Sequence, residues 1–228
     1  MKKYQKSDAG YTLIELMIVL IIISIMSAVS GYYLINHQTL YKPDDQALKI
    51  IDIFQEARQR SLTQRGTMRV EIDLNDNMIR LIDENKPMPT GAADDEQIRQ
   101  LPLLPASDVQ IEQRAPDVAD NPPETLPVPS ANFLPSVYPS STPNRVCTIR
   151  FQSNGLVVSA GNSPADGNAP PTGVTLHIWS PKKSSVNESE VVRAITVIGT
   201  TGSVKMWEYR RDETAASKWV DSRRGGSY

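Results

Sequence analysis

No disulfide can form within this chain, because Cys147 is the only cysteine among 228 residues. A folded domain must therefore rest on a packed core and on assembly rather than on covalent staples. Histidine is nearly as scarce, with only His37 and His177. That scarcity leaves no nucleophile and base at a recognisable spacing and no His-rich metal site. Glycine-rich phosphate loops are missing too. An excess of one charge sign is also absent, since 24 Lys and Arg face 26 Asp and Glu for a net charge of −2. Such a balance does not predict a general nucleic-acid surface. The length holds one ordinary soluble domain and excludes a large multi-domain enzyme. No enzymatic activity, cofactor or metal is expected.

One long apolar run stands against this background. Of the twenty residues from Tyr11 to Ser30, nineteen carry no charge, and the exception is Glu15. A carboxylate costs roughly 2.5 to 3.5 kcal/mol at the centre of a membrane helix, so an intramembrane Glu is by default a functional group in search of a partner. At about 1.5 Å per residue the run spans about 30 Å, the thickness of a bilayer core. The order of segments is the reverse of a secretory signal peptide: Met1 to Gly10 is polar, and the apolar stretch begins directly after it. Lys2, Lys3 and Lys6 precede the span, whereas the nearest charges beyond it are Lys42, Asp44 and Asp45. The positive-inside rule then predicts a cytoplasmic N-terminus and a head on the opposite side.

The stretch Gly10-Tyr11-Thr12-Leu13-Ile14-Glu15 followed by an unbroken apolar helix resembles the N-terminus of type IV prepilins and pseudopilins. The resemblance implies cleavage by a prepilin peptidase between Gly10 and Tyr11, with N-methylation of Tyr11. Loss of Lys2, Lys3, Lys6 and Asp8 takes away three positive charges and one negative, leaving −4. It further implies that Glu15 is the assembly residue, neutralising the new α-amino group of its own or a neighbouring subunit. Leu13, Ile14, Leu16, Met17, Ile18, Val19, Leu20, Ile21, Ile22 and Ile23 form the membrane span that exchanges lipid for neighbouring helices. Expected partners are the peptidase, other pilin or pseudopilin subunits, an inner-membrane assembly platform and membrane lipid; nucleic acid is not expected. The location implied is the inner membrane, single-pass, with the head in the periplasm. Two departures stand out: Tyr11 replaces the commoner Phe, and Tyr32 occupies the place of the helix-kinking Pro of many major pilins. Gly31 and Pro43 remain as flexible points.

Beyond the span, Ala47, Ile50, Ile51, Phe54, Ala57 and Leu62 recur at three- and four-residue spacing from Asp44 to Gln64, which predicts an amphipathic helix lying across a sheet. Asp44 and Asp45 suit a first turn after Pro43, and Gly66 a stop past the end. Seven short strands follow: Thr67 to Leu74, Met78 to Ile82, Cys147 to Phe151, Leu156 to Val158, Gly173 to Trp179, Val191 to Ile198 and Ser203 to Tyr209. The fold class is α+β, a long N-terminal helix, half transmembrane and half amphipathic, packed on an antiparallel β-sheet head. The helix end Glu56-Ala57-Arg58, the hairpin Phe151 to Gly155, and Arg193-Ala194-Ile195-Thr196-Val197 before Gly202-Ser203-Val204 resemble the GspH/FimT group of minor pilins.

The predicted organisation is a leader at 1–10, a transmembrane helix at 11–34, an amphipathic helix at 35–66, a β-rich head at 67–85 and 146–209, a Pro-rich insertion at 86–145 and a flexible tail at 210–228. Twelve of the seventeen prolines lie between Pro87 and Pro143, so the insertion reads as a surface excursion and a partner-binding arm. Within it, Asp94-Asp95-Glu96 reads as a solvated acidic run, lacking the spacing of a calcium loop. Cys147 and His177 are read as core residues, and His37 as an interfacial polar group. In the tail, Arg210, Arg211, Lys218, Arg223 and Arg224 with Trp207, Tyr209 and Trp219 could present a basic aromatic surface to strands of nucleic acid. Four anions offset those five cations, which favours a balanced solvated tail.

Overall fold

The computed structural model describes residues 11–84, 95–111, 114–118, 121–124, 126, 134–135, 144–159, 171–181, 191–211 and 218–222. Two units, Met1–Thr39 and Leu40–Tyr228, make up the chain. A single helix, α1 (Leu13–Gln64), begins in the first and continues into the second. Pro43 sits inside it, so Asp44 and Asp45 do not open a helix as the sequence suggested. Pro43 has no N–H to donate, which removes one backbone bond from the turn before it. Ion pairs hold the helix on either side: Lys42 Nζ to Asp108 at 2.9 Å, and Arg193 Nε to Asp44 at 2.5 Å. At the other end Arg65, not Gly66, takes the left-handed position that terminates the helix, with φ of 54°.

All seven expected strands are present, and three more join them. One sheet, here sheet A, runs β3-β2-β1-β5-β4, with β6 also paired to β5. Its members are β1 (Thr67–Asp73), β2 (Met78–Glu84), β3 (Asp95–Pro102), β4 (Leu134–Pro135), β5 (Arg145–Phe151) and β6 (Val157–Ser159). The second, sheet B, runs β10-β9-β8-β7 through β7 (Val174–Trp179), β8 (Val192–Val197), β9 (Val204–Tyr209) and β10 (Trp219–Asp221). Every strand pairing is antiparallel. The expected single sheet is thus two, joined where the Val157 N–H donates to the Gly199 carbonyl at 2.7 Å and the Thr172 N–H to the Val157 carbonyl at 2.9 Å.

Alternation along each strand explains the layering, because neighbouring side chains point to opposite faces. Met68, Val70 and Ile72 of β1, Ile79 and Leu81 of β2, and Cys147, Ile149 and Phe151 of β5 enter one core. Val174, Leu176 and Ile178 of β7, with Ile195, Val197, Val204 and Met206, enter the same core from sheet B. The apolar stripe Ala47, Ile50, Ile51, Phe54 and Ala57 of α1 fills it, as its spacing predicted, and Ile53, not assigned to the stripe from the sequence, joins it. Leu62, assigned to that stripe from the sequence, is instead 43% exposed.

The insertion departs most from expectation. β3 forms an edge of sheet A, and Leu103, Val109 and Ile111 are buried in the main core. Farther along, Ala115 and Val118 join Trp179, Val192, Ala194, Trp207, Tyr209 and Trp219 in a second cluster on the outer face of sheet B. The physical reason is that both faces of sheet B carry large apolar side chains, and an apolar outer face must be covered. The tail serves the same end: Trp219–Asp221 is a strand, and Trp219 is 4% exposed. These parts of the insertion and tail belong to the packed head, not to a free arm or a flexible end.

Candidate assembly segment and the surfaces of the head

The first unit presents an apolar helical segment, Leu13–Leu34, 22 residues long, whose most apolar eighteen have a mean hydropathy of 2.6 with no residue of that stretch buried within the protein. Length and composition match a bilayer core, and exposed Leu, Ile and Met side chains are stable there only against lipid or other helices. The segment fits membrane anchoring through one helix. Thr12 opens it: its side-chain oxygen accepts from the Glu15 N–H at 3.4 Å, and its carbonyl accepts from the Glu15 and Leu16 N–H groups at 3.1 and 3.2 Å. Thr12 was not singled out from the sequence, although Thr-x-x-Glu is the pattern of a capping box and could have revealed it. Tyr11 and Thr12 precede the helix. Gly10, the other half of the expected cleavage site, lies outside the described residues.

Glu15 falls in the first helical turn, where the partial positive charge of the helix start favours a carboxylate. Its side chain makes no ion pair among the described residues. Within the span the Ser24 hydroxyl donates to the Leu20 carbonyl at 2.8 Å, the usual way a serine is tolerated in an apolar helix. Gly31 has open space around it, with nothing within 4 Å of an added Cβ. The side chain of His37 lies outside the described residues.

In the second unit Phe151, Gly155 and Gly202, three of the motif residues singled out from the sequence, gather along the C-terminal part of α1, whereas Arg193 reaches Asp44 farther back on the helix. Phe151 packs on Phe54 with ring centroids 6.0 Å apart. Gly155, at φ of 84°, turns the chain so that a Cβ there would stand 3.2 Å from Leu62. Gly202, at φ of 63°, approaches the Gly155 carbonyl so closely that an added Cβ would lie 2.8 Å from it and 3.1 Å from Arg58 Nε. These motif residues are packing devices that bring two turns onto the helix end.

The outer face of sheet A is built of charge. Arg69 is fully buried and reaches Glu71 at 2.8 Å, Glu84 at 2.7 Å and Asp95 at 2.8 Å; Arg150 Nε donates to Glu84 at 2.8 Å. Burial works against the Arg69 charge, but Glu71, Glu84 and Asp95 outweigh it and raise the guanidinium above its ordinary value. Asp95, expected in a solvated acidic run, is therefore a member of a buried ion network; Asp94 lies outside the described residues. Neither reading could be made from β1 alone, because the alternation of Arg69, Glu71 and Asp73 with Met68, Val70 and Ile72 is that of any half-exposed strand.

Cys147 faces the main core, where burial pushes its thiol up to about 12, so no reactive thiolate forms at neutral pH. No group of His, Cys, Asp and Glu suited to a metal occurs among the described residues. The aromatic side chains considered for stacking on nucleic acid are consumed by packing: Trp207, Tyr209 and Trp219 are each at most 9% exposed. Of the tail cations, Arg211 pairs with Asp117 at 2.6 Å and Arg210 with Glu208 at 3.6 Å. Arg223 and Arg224 lie outside the described residues.

A membrane-anchored chain with one apolar N-terminal helix and an α+β head is the class these features define. Residues 5–31 match the family model described as the prokaryotic N-terminal methylation motif, which takes in Gly10, Tyr11, Glu15 and most of the apolar segment. The motif supports a type IV pilin-like subunit, pilin or pseudopilin, and implies prepilin-peptidase processing and assembly with other pilin subunits. Comparison with curated proteins and with solved structures returned no match.

Proposed function

We propose that the protein is a minor pseudopilin of the GspH/FimT kind, a structural subunit of a type II secretion pseudopilus that serves protein secretion across the outer membrane. The observation that carries this reading is an apolar helical segment with no buried residue in its most apolar stretch and Glu15 as its one charge, most of it within a methylation motif. Cleavage between Gly10 and Tyr11 creates an amine four residues from Glu15, and methylation of Tyr11 keeps it cationic. Stored in the inner membrane with the head in the periplasm, the helix is drawn by the assembly platform into a bundle of like helices. There the Glu15 charge finds a cation, and Leu13, Ile14, Leu16 and the following apolar residues find neighbours. The role is structural, and no step calls for catalysis or a cofactor.

The alternative, a minor pilin of a type IV pilus that primes assembly, mediates adhesion or takes up DNA, uses the same parts. DNA uptake draws the least support, since the tail's aromatic side chains are buried. The informative experiment replaces Glu15 by Ala and follows leader removal and filament incorporation separately. Normal processing with loss of incorporation is the expected result; normal incorporation would overturn the docking role. Deleting the gene separates the two filaments, because a pseudopilin loss stops export of secreted proteins while surface pili persist.

A further inference from the structure

The outer face of sheet B holds a polar group that its surroundings do not serve. His177 on β7 is fully buried, and neither ring nitrogen has a hydrogen-bond partner among the described residues. Its ring lies 5.7 Å from that of Trp219, and Ala194 stands beside it on β8. Ala194 in turn pairs with Trp207 of β9, so the imidazole sits within the second apolar cluster. That cluster also holds Ala115 and Val118 of the insertion and Trp219 of β10, and Arg114 lies close enough to act on the imidazole.

We propose that His177 is an acid-sensitive latch, whose protonation releases the cover formed by residues 114–118 and 121–124 from the outer face of sheet B. A neutral imidazole is tolerated in an apolar cluster, whereas an imidazolium buried there bears the cost of leaving water beside the Arg114 cation. Burial pushes His177 down to about 4, and the nearby Arg114 cation adds to that push. In an open state the ring returns toward its ordinary value of about 6.5. The folded value is depressed, so the closed state holds its full advantage above about pH 6.5 and loses it progressively as pH falls toward 4.

The cover is the element that yields, because residues 114–118 and 121–124 lie outside the strands of sheet B and side-chain contacts join them to it. Glu124 accepts from Lys205 at 2.6 Å and from the Thr196 hydroxyl at 2.9 Å, and Arg211 reaches Asp117 at 2.6 Å. The other titratable groups around this face are Tyr209 on β9 and Asp221 on β10, which lies two residues from Trp219 and so on the same side. β8 contributes no charge here, only Val192, Ala194 and Thr196. Protonation of Glu124 or Asp117 would loosen the cover in the same direction, so the test must separate them from the imidazole.

Trp179, Trp207 and Trp219 are the chain's only three tryptophans, and all lie in this cluster, so intrinsic fluorescence reports on the cover alone. Full-length protein in detergent micelles is titrated from pH 7.5 to 4 while tryptophan emission and far-ultraviolet circular dichroism are recorded. The expected result is a red shift with its midpoint between about 6.5 and 4 while secondary structure is retained. His177→Phe should abolish that transition, His177→Gln should do likewise, and Glu124→Gln should keep it. Hydrogen exchange on the unmodified protein adds a readout free of folding defects: protection at 114–118 should fall with pH while Ile50 to Ala57 of α1 stays protected. Identical titrations of the wild type and His177→Phe, no emission change in the wild type, or emission and dichroism lost together would each overturn the latch.

Discussion

Replacing Arg69 by Met keeps the side chain's approximate length and removes its charge, and it should destabilise the head severely. In the native protein the guanidinium faces three carboxylates, Glu71, Glu84 and Asp95, at 2.7 to 2.8 Å, and the Arg69 and Glu71 side chains have no exposure at all. Glu84 keeps Arg150, but Glu71 and Asp95 lose this cation. Breaking a buried pair from one side costs about 3 to 5 kcal/mol, because a charge stays buried without its compensation. Against a typical total of about 5 to 15 kcal/mol, that is about a third or more of the stability. Urea unfolding of the full-length protein in micelles, followed by far-ultraviolet circular dichroism, should show a lower midpoint at unchanged slope. A further consequence checks the cause. A buried carboxylate deprived of its cation is relieved by taking up a proton, so the penalty at pH 8 should exceed that at pH 5. Adding Glu71→Gln to the Met variant should recover part of the loss. A cost below about 1 kcal/mol, or one indifferent to pH, would refute the network as the support of this face.

Other positions yield narrower tests. Asp73 is pushed up by burial, but hydrogen bonds from Asn144, the Asp76 N–H and Arg80 outweigh this and hold it below the usual range. Its stabilisation is therefore present above the ordinary value near 3.9 and lost as pH falls below it; Asp73→Asn should flatten the acid limb of the stability curve measured between pH 5 and 2. Arg65→Gly relieves a left-handed residue at the end of α1 and should raise stability by about 0.5 to 1 kcal/mol in thermal melts. Gly202→Ala should do the opposite, lowering it by more than about 1 kcal/mol, since its positive φ and a Cβ 2.8 Å from the Gly155 carbonyl both oppose a side chain; an unchanged melting temperature would show that the two turns do not meet on the helix as described.

How much of this was legible beforehand depended on the kind of signal. The stripe of Ala47, Ile50, Phe54 and Ala57 announces its buried face because helical periodicity is local, and the seven strands announce themselves by alternation. β3 does not, because Asp95-Glu96-Gln97-Ile98-Arg99-Gln100 has no alternating apolar face: as an edge strand it leaves much of its surface exposed. Pro43 misled in the other direction. A proline usually marks a helix start, but here side-chain ion pairs from Lys42 and Asp44 to distant parts of the head accompany a helix that runs through it. The candidate assembly residues Gly10, Tyr11 and Glu15 were visible from sequence, since their meaning lies in order along the chain.

The sequence by itself determined the apolar helical segment that fits membrane anchoring, the α+β class and the face of α1 that enters the core. Each of these follows from spacing within a few turns or strands, where covalent connection sets the geometry. Only the tertiary structure decided that there are two sheets, that Arg69, Glu84 and Asp95 form one buried network, and that Ala115 and Val118 of the insertion and Trp219 of the tail pack with the other tryptophans on the outer face of sheet B. Those outcomes join residues as far apart as Asp44 and Arg193, or Arg69 and Arg150, and no local period encodes such pairings. They arise because both faces of sheet B are apolar and must be covered, and because charges taken out of water must find one another.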